Sequence, residues 1–254
     1  INILGGAVIK TSGKVKLWGF DLDNNPRQVR ASIGIVPQEV NFDPFFSPRK
    51  LLELQAGFYG VKKENRITDL ILKMVSLEKQ ANSYARSLSG GMKRRLLIAK
   101  AMVHQPPILI LDEPTAGVDV ELRKNLWGNV KELNKLGVTI ILTTHYLYEA
   151  QEMCDRIGII NKGNLVALNT TQKLLEQIET KKIKFKVKNF NNFEKIKLNN
   201  VKFIKDDSEI IAIYNKNKFK FDEIINIVKK NVEILDISTD DADLEDVFLE
   251  VTNN

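Results

Sequence analysis

Cysteine is nearly missing from this chain. Cys154 is the only one in 254 residues, which excludes an internal disulfide and fits a reducing compartment. Its ordinary reading is a small, buried apolar residue. No apolar run approaches the roughly 20 residues that a membrane-crossing helix needs. No secretory signal opens the chain either, because Ile1 begins inside what reads as the tail of a helix, stopped by Gly5-Gly6. Glycine and proline are sparse, at 14 and 7, while 43% of residues are hydrophobic, so the chain is globular with a real core. A further absence concerns a motif: G-x-x-x-x-G-K-[ST] occurs nowhere. The nearest decoy, Thr11-Ser12-Gly13-Lys14, has Val8 where the first glycine belongs and Val15 after the lysine, and reads as a turn.

The net charge of +6 is unevenly spread. Residues 181–205 hold nine lysines against one acid, whereas 206–254 hold five lysines against thirteen acids. In Lys182-Ile183-Lys184-Phe185-Lys186-Val187-Lys188 the lysines alternate with apolar residues, as on a strand with one wet face. Lysines there also discourage edge-to-edge pairing. A nucleic-acid platform would need aromatics facing the same way as the lysines, and Phe185 faces the other way. The alternation therefore reads as a solvated face, and no nucleic-acid partner is expected.

The pattern changes character along the chain. A short apolar strand at 33–37 leads to Gln38. Ser47 and Pro48 then form a helix start, N-cap followed by proline at the first helical position. Ile67, Leu70, Ile71, Met74 and Val75 recur at helical spacing. Another helix follows Gly90-Gly91 and stops before Pro106-Pro107. Ile108-Leu109-Ile110-Leu111 is uniformly apolar, as in a central parallel strand covered on both faces. A helix with Leu122, Leu126, Val130 and Leu133 on one stripe ends at Gly137, and 138–144 reads as a second buried strand closed by His145. Two short strands joined by Lys162-Gly163-Asn164 come next. Alternating strands and helices imply an α/β fold with a mainly parallel sheet. From about residue 176 short alternating strands take over, and 176–254 reads as a small separate α+β domain.

Asp112 and Glu113 directly follow the apolar strand. A parallel strand delivers its C-terminal end to the ligand-bearing edge of the sheet. There one carboxylate can support Mg²⁺ through its water shell, and the other can orient and deprotonate an attacking water. The same pair also reads as an acidic cap before the next turn. Leu88-Ser89-Gly90-Gly91-Met92 is more specific. Two glycines at a helix start let backbone N–H groups approach an anion closely, and Ser89 adds a hydroxyl. A flexible Gly-Gly hinge would not account for the Asp-Glu strand that follows at this interval.

Ser87-Leu88-Ser89-Gly90-Gly91-Met92-Lys93-Arg94-Arg95-Leu96, Ile110 to Asp119, and Thr143-Thr144-His145 resemble the signature, Walker B with D-loop, and switch-histidine motifs of ABC ATPases; Gln38 matches the Q-loop. Met92, Ala116-Gly117-Val118-Asp119 and Leu244-Glu245-Asp246-Val247-Phe248 resemble bacterial drug-resistance-type exporters with separately encoded permeases. The resemblance implies a P-loop NTPase core over 1–175 with an inserted helical subdomain at about 44–104. It also implies that the sequence begins just after the P-loop, so that the N-terminal strands and the adenine-stacking aromatic lie upstream.

By the same resemblance, Asp112 supports Mg²⁺, Glu113 is the general base, and His145 contacts the γ-phosphate. Gln38 senses Mg²⁺ and water and links to the helical subdomain. Ser89, Gly90 and Gly91 grip ATP held by the opposite subunit, and Asp119 runs across the dimer interface. Mg²⁺ accompanies ATP as substrate. The expected partners are a second ATPase subunit and a transmembrane permease, at the cytoplasmic face of the bacterial inner membrane. The permease is expected near 38–59, where Phe42, Phe45 and Phe46 are either anchors for it or packing under the helical subdomain. Two alternatives stay open: a non-catalytic partner subunit without a P-loop, and a soluble ABC protein acting on ribosomes or nucleic acid.

Overall fold

The computed structural model describes residues 1–118, 120–240 and 243–252, with the backbone alone for residues 121 and 122. The chain divides into two compact units, 1–145 and 146–254. The first runs through α1 (Asn2–Gly5), β1 (Lys16–Leu17), β2 (Phe20–Asp21), α2 (Pro26–Ala31), β3 (Ile33–Val36), α3 (Pro48–Phe58), α4 (Thr68–Met74), α5 (Gly90–Met102), β4 (Ile108–Asp112), α6 (Val120–Lys135) and β5 (Thr139–Thr143).

Strands β3, β4 and β5 form a parallel sheet in that order. The four apolar residues of β4 are all buried, as a central strand requires. Gly34 of β3 lets α5 pack directly on the sheet: a Cβ there would stand 2.3 Å from the carbonyl oxygen of Ala101. β5 departs from the expected buried strand. Its residues are half-exposed, and Ile141 is 41% exposed, because among the described strands β5 pairs on one side only. Leu126, Val130 and Leu133 of the α6 stripe are buried, while the side chain of Leu122 lies outside those described.

Helices α3, α4 and α5 share a separate core that includes Leu52, Leu72, Leu77 and Leu96. Ser47 caps α3 by accepting the Lys50 amide at 3.3 Å, ahead of Pro48, an arrangement worth about 1 kcal/mol. Glu53 of α3 accepts from Arg66 at 2.6 Å and from the hydroxyl of Thr68, tying α3 to the start of α4. Phe42 packs against this core, whereas Phe45 is 62% exposed and Phe46 is also exposed.

The second unit contains α7 (Leu147–Met153), β6 (Arg156–Asn161), β7 (Asn164–Thr170), α8 (Thr171–Gln177), β8 (Thr180–Val187), β9 (Lys202–Asp206), β10 (Glu209–Asn215), α9 (Phe221–Asn231), β11 (Ile234–Asp240) and α10 (Leu244–Thr252). β6 and β7 form a hairpin whose turn residues Lys162 and Gly163 both have positive φ, 48° and 81°, the backbone that a tight two-residue hairpin needs. β8 to β11 form an antiparallel sheet in the order β11-β8-β10-β9. Ile183, Phe185 and Val187 of β8 are buried under α9 with Ile210, Ile224 and Val228. On the opposite side of β8, Lys182 and Lys184 pair with Asp246 and Asp240 at 2.8 and 2.7 Å. Its hydrogen bond to Asp246 holds the Lys182 ammonium above the usual lysine range. The basic run is thus answered by the acidic run that follows it. α10 packs with Ile157, Ile159 and Leu174 in a second core, against which Cys154 is half-buried.

Candidate functional site

The C-terminal edge of the parallel sheet gathers four of the residues read from the sequence, Gln38, Asp112, Glu113 and His145. Asp112, the last residue of β4, lies opposite Thr143, the last residue of β5. Its Oδ1 accepts the Thr143 hydroxyl at 2.6 Å. The next amide, of Glu113, donates to the Thr143 carbonyl at 3.1 Å, so the β4–β5 pairing continues one residue beyond the strand. There the chain turns abruptly: Glu113 has φ +46°, a left-handed conformation that a residue with a side chain rarely adopts. The turn brings the Glu113 carboxylate to His145, whose Nδ1–H donates to Oε2 at 2.8 Å. Four residues at two adjacent strand ends, Asp112, Glu113, Thr143 and His145, thereby form one polar cluster. Strained backbone at such an edge is characteristic of functional sites, where the surrounding pairing over-determines the conformation.

Gln38 stands exposed two residues beyond β3, the strand that pairs with β4, at the same edge. Ser89 is the N-cap of α5, accepting the Met92 amide at 3.3 Å, with Gly90 and Gly91 in the first turn. Among the described residues, no heavy atom beyond its chain neighbours and the backbone of α5 itself lies within 4 Å of the position that a Cβ on Gly90 would take, so the surface there is open to close approach. Asp119 lies outside the described residues. Asp112, Glu113 and His145 are therefore brought together and Gln38 shares their edge, while Ser89–Gly91 form a second patch at the start of α5.

Two features escaped the motif reading. One is Thr143 as the hydroxyl partner of Asp112, which follows only from strand register. The other is Arg94. Its side chain is 6% exposed, and its Nη1 donates to the carbonyls of Pro37 at 3.1 Å and Gln38 at 2.6 Å. A hint was available: Lys93-Arg94-Arg95 lies near a helix N-terminus, where the helix dipole disfavours cations.

Among the described residues no group of three or more His, Cys, Asp or Glu could enclose an ion. Mg²⁺ commonly binds through one or two carboxylates, with waters and substrate phosphates completing its shell. Asp112, steadied through one oxygen by Thr143, fits that manner of binding. No helix among the described residues is long and apolar enough to cross a membrane.

The family model described as "ABC transporter" matches residues 1–116. The linearmycin resistance ATP-binding protein LnrL of Bacillus subtilis is 35% identical over 70% of this chain and 58% of its own length. The Nod factor export ATP-binding protein I of Burkholderia lata is 35% identical over 69% of this chain and 59% of its own. The chain thus spans less than two thirds of the length of these relatives. Among solved structures, a dimeric ATP-binding cassette in a post-hydrolysis state bound to ADP and Pi superposes with a TM-score of 0.57. It is 28% identical, over 67% of this chain and 78% of that one. Sequence motifs, sheet order and these matches converge: residues 1–116 belong to the ABC transporter family, and the chain is similar to ATP-binding subunits of that family.

Proposed function

We propose that the complete protein hydrolyses ATP with Mg²⁺ to power a membrane permease, working as a pair of ATPase subunits at the cytoplasmic face of the bacterial inner membrane. Export is the direction favoured by the names of the relatives from Bacillus subtilis and Burkholderia lata. The observation that carries the reading is the Glu113–His145 contact on a strained turn directly beside Asp112. In this reading Asp112 supports Mg²⁺, Glu113 takes the proton of the attacking water, and His145 orients Glu113 and meets the γ-phosphate. Gln38 joins them from the neighbouring strand. Ser89, Gly90, Gly91 and Asp119 serve the nucleotide held by the opposite subunit. The exposed Phe45 and Phe46 suit a permease contact, since aromatics dominate such anchors. Residues 176–254 act as an accessory domain. A second reading, a non-catalytic partner subunit, is favoured by one observation: the 254 residues contain no G-x-x-x-x-G-K-[ST]. P-loop amides and lysine carry much of phosphate binding in such enzymes.

One experiment separates the readings. The 254-residue chain is compared with a fusion carrying a P-loop segment ahead of Ile1, with and without Glu113→Gln. The chain alone is expected to bind Mg-ATP weakly, and the fusion to bind and hydrolyse it. Glu113→Gln in the fusion should keep binding, lower turnover by about 10²–10⁴-fold, and dimerise stably when ATP is added. Near-parental phosphate release by that variant would remove Glu113 from the base role. A fusion that binds ATP but never turns it over would favour the non-catalytic partner.

A further inference from the structure

Helix α5 carries two consecutive arginines that grip the backbone of two different segments. Arg94 reaches the loop after β3, where Nη1 bridges the carbonyls of Pro37 and Gln38 at 3.1 and 2.6 Å. Arg95 reaches the end of α4, where Nη1 bridges the carbonyls of Val75 and Ser76 at 2.7 and 3.0 Å. Ser76 itself has φ +53°, the turn that presents those carbonyls. Each arginine thus spans a loop of the chain, with sequence separations of 56 and 57 residues for Arg94 and of 19 and 20 for Arg95. Both guanidinium groups are partly withdrawn from water, and burial lowers both pKa values. A bridged pair of carbonyls replaces part of that lost hydration, because hydrogen bonds from a charged donor are about twice as strong as neutral ones.

From this geometry we infer that Arg94 is a positioning residue for Gln38: it fixes the Pro37–Gln38 backbone to α5, whose first turn holds Ser89, Gly90 and Gly91, while Arg95 fixes the same helix to the α4 end. The inference rests on the proposed role of Gln38 at the catalytic edge. Its mechanical content is specific. Among the described residues, the strand pairing of β3 ends at Val36, two residues before Gln38. The carbonyls of Pro37 and Gln38 are instead held by a side chain rooted in the second turn of α5. Any displacement of the Gln38 loop is passed to the helix that begins at Ser89, and through Arg95 to the helical core. Lysine is one atom group shorter and has no planar fork, so it restores the bridge incompletely.

The test has two arms. In the 254-residue chain, ¹⁵N relaxation is measured for parent, Arg94→Met and Arg94→Lys. Methionine keeps most of the apolar stem, and the released carbonyls lie next to solvent, so the fold is expected to survive. Order parameters at Gln38 and Glu39 should fall in Arg94→Met from near 0.85 toward about 0.6, with partial recovery in Arg94→Lys and no change at Leu109–Leu111. Unchanged loop values, or an equal fall in β4, would overturn the inference. In the P-loop fusion, Arg94→Met should lower kcat on the order of 10- to 100-fold, the scale of a small misplacement of a reacting group, with KM for ATP little changed. In a Gln38→Ala background the same substitution should add nothing, and full additivity would overturn the inference. A Gln38→Ala fusion with parental turnover, alongside a positive relaxation result, would instead sink the proposed role of Gln38 and with it the catalytic part of the inference.

Discussion

Glu113 and His104 show two ways in which a single residue can be held against its own preferences. Glu113 occupies φ +46° because its amide is drawn into the β4–β5 pairing and its carboxylate is drawn to His145. Such a conformation costs on the order of 1–3 kcal/mol and survives only because both ends are anchored. His104, for which the sequence suggests no role, stacks face to face on Tyr59 with ring centroids 3.6 Å apart. Its Nε2–H donates to the Ile33 carbonyl at 2.9 Å, and Nδ1 is buried with no partner among the described residues. Burial pushes its pKa below the ordinary 6.5, against a smaller upward pull from the Ile33 bond. For a base with a depressed folded pKa, folding favours the neutral form. The stabilisation is therefore present above the unfolded pKa and is lost as pH falls through about 6.5 toward the lower folded value. Urea unfolding followed from pH 7.5 to 5.5 should show a falling midpoint, and His104→Phe, which keeps the stack, should flatten it. Identical pH profiles would assign the acid sensitivity elsewhere. Glu53, whose carboxyl is lowered by its hydrogen bonds to Thr68 and Arg66, acts only below its ordinary 4.5 and does not overlap this window.

Among the elements, α5 does two jobs with two different glycines. Gly34 permits contact: α5 lies so close to β3 that a Cβ at this position would meet backbone, which cannot rotate away. Gly90 permits approach: it faces open space at the start of the helix. Substitution separates the two. Gly34→Ala should destabilise the chain by about 1–3 kcal/mol, the usual penalty for forcing extra volume into a packed site. Gly90→Ala should leave stability unchanged or slightly raised, since alanine is the better helix former. It should weaken only the proposed nucleotide contact. Chemical denaturation of both variants checks this, and equal stability of the two would show that α5 can slide on the sheet without penalty. β5 makes a related point. Its centre, Ile140-Ile141-Leu142, is as apolar as the run in β4, yet Ile141 is 41% exposed, because burial follows the position of a strand in the sheet as well as its composition.

At the scale of the whole molecule, the two units carry different stabilising arrangements. Both tryptophans, Trp18 and Trp127, belong to the first unit, and Trp127 is buried, so fluorescence reports that unit selectively. If residues 176–254 are an accessory domain, removing them should leave a cooperative Trp127 transition. The same deletion removes Leu244 and Val247 from the core they share with Ile157, Ile159 and Leu174. The shortened chain should therefore also bind a hydrophobic dye through the uncovered β6–β7 layer. Loss of the cooperative transition would show that the boundary near 176 is misplaced.

Much of this architecture was readable in order along the chain, because its signals are local. Ser47-Pro48 starts a helix through capping and a preset φ, Pro106-Pro107 ends one by removing donors, and Ile108–Leu111 can only be a covered strand that hands Asp112 and Glu113 to an edge. The alternating lysines of β8 likewise declared one wet face, and Phe185 the dry one. Other features required the strands and helices to be set in space. Thr143 is 31 residues from Asp112 and Arg94 is 56 from Gln38, so neither partnership leaves a periodic trace. They depend on which strand lies beside which, and on the rotation of α5 about its axis. That rotation is decided by how Gly34 admits the helix to the sheet and how Leu96 and Ala99 fill the helical core. Local chemistry determined which residues could form a site, and the packing of α5 between sheet and helices decided which of them meet.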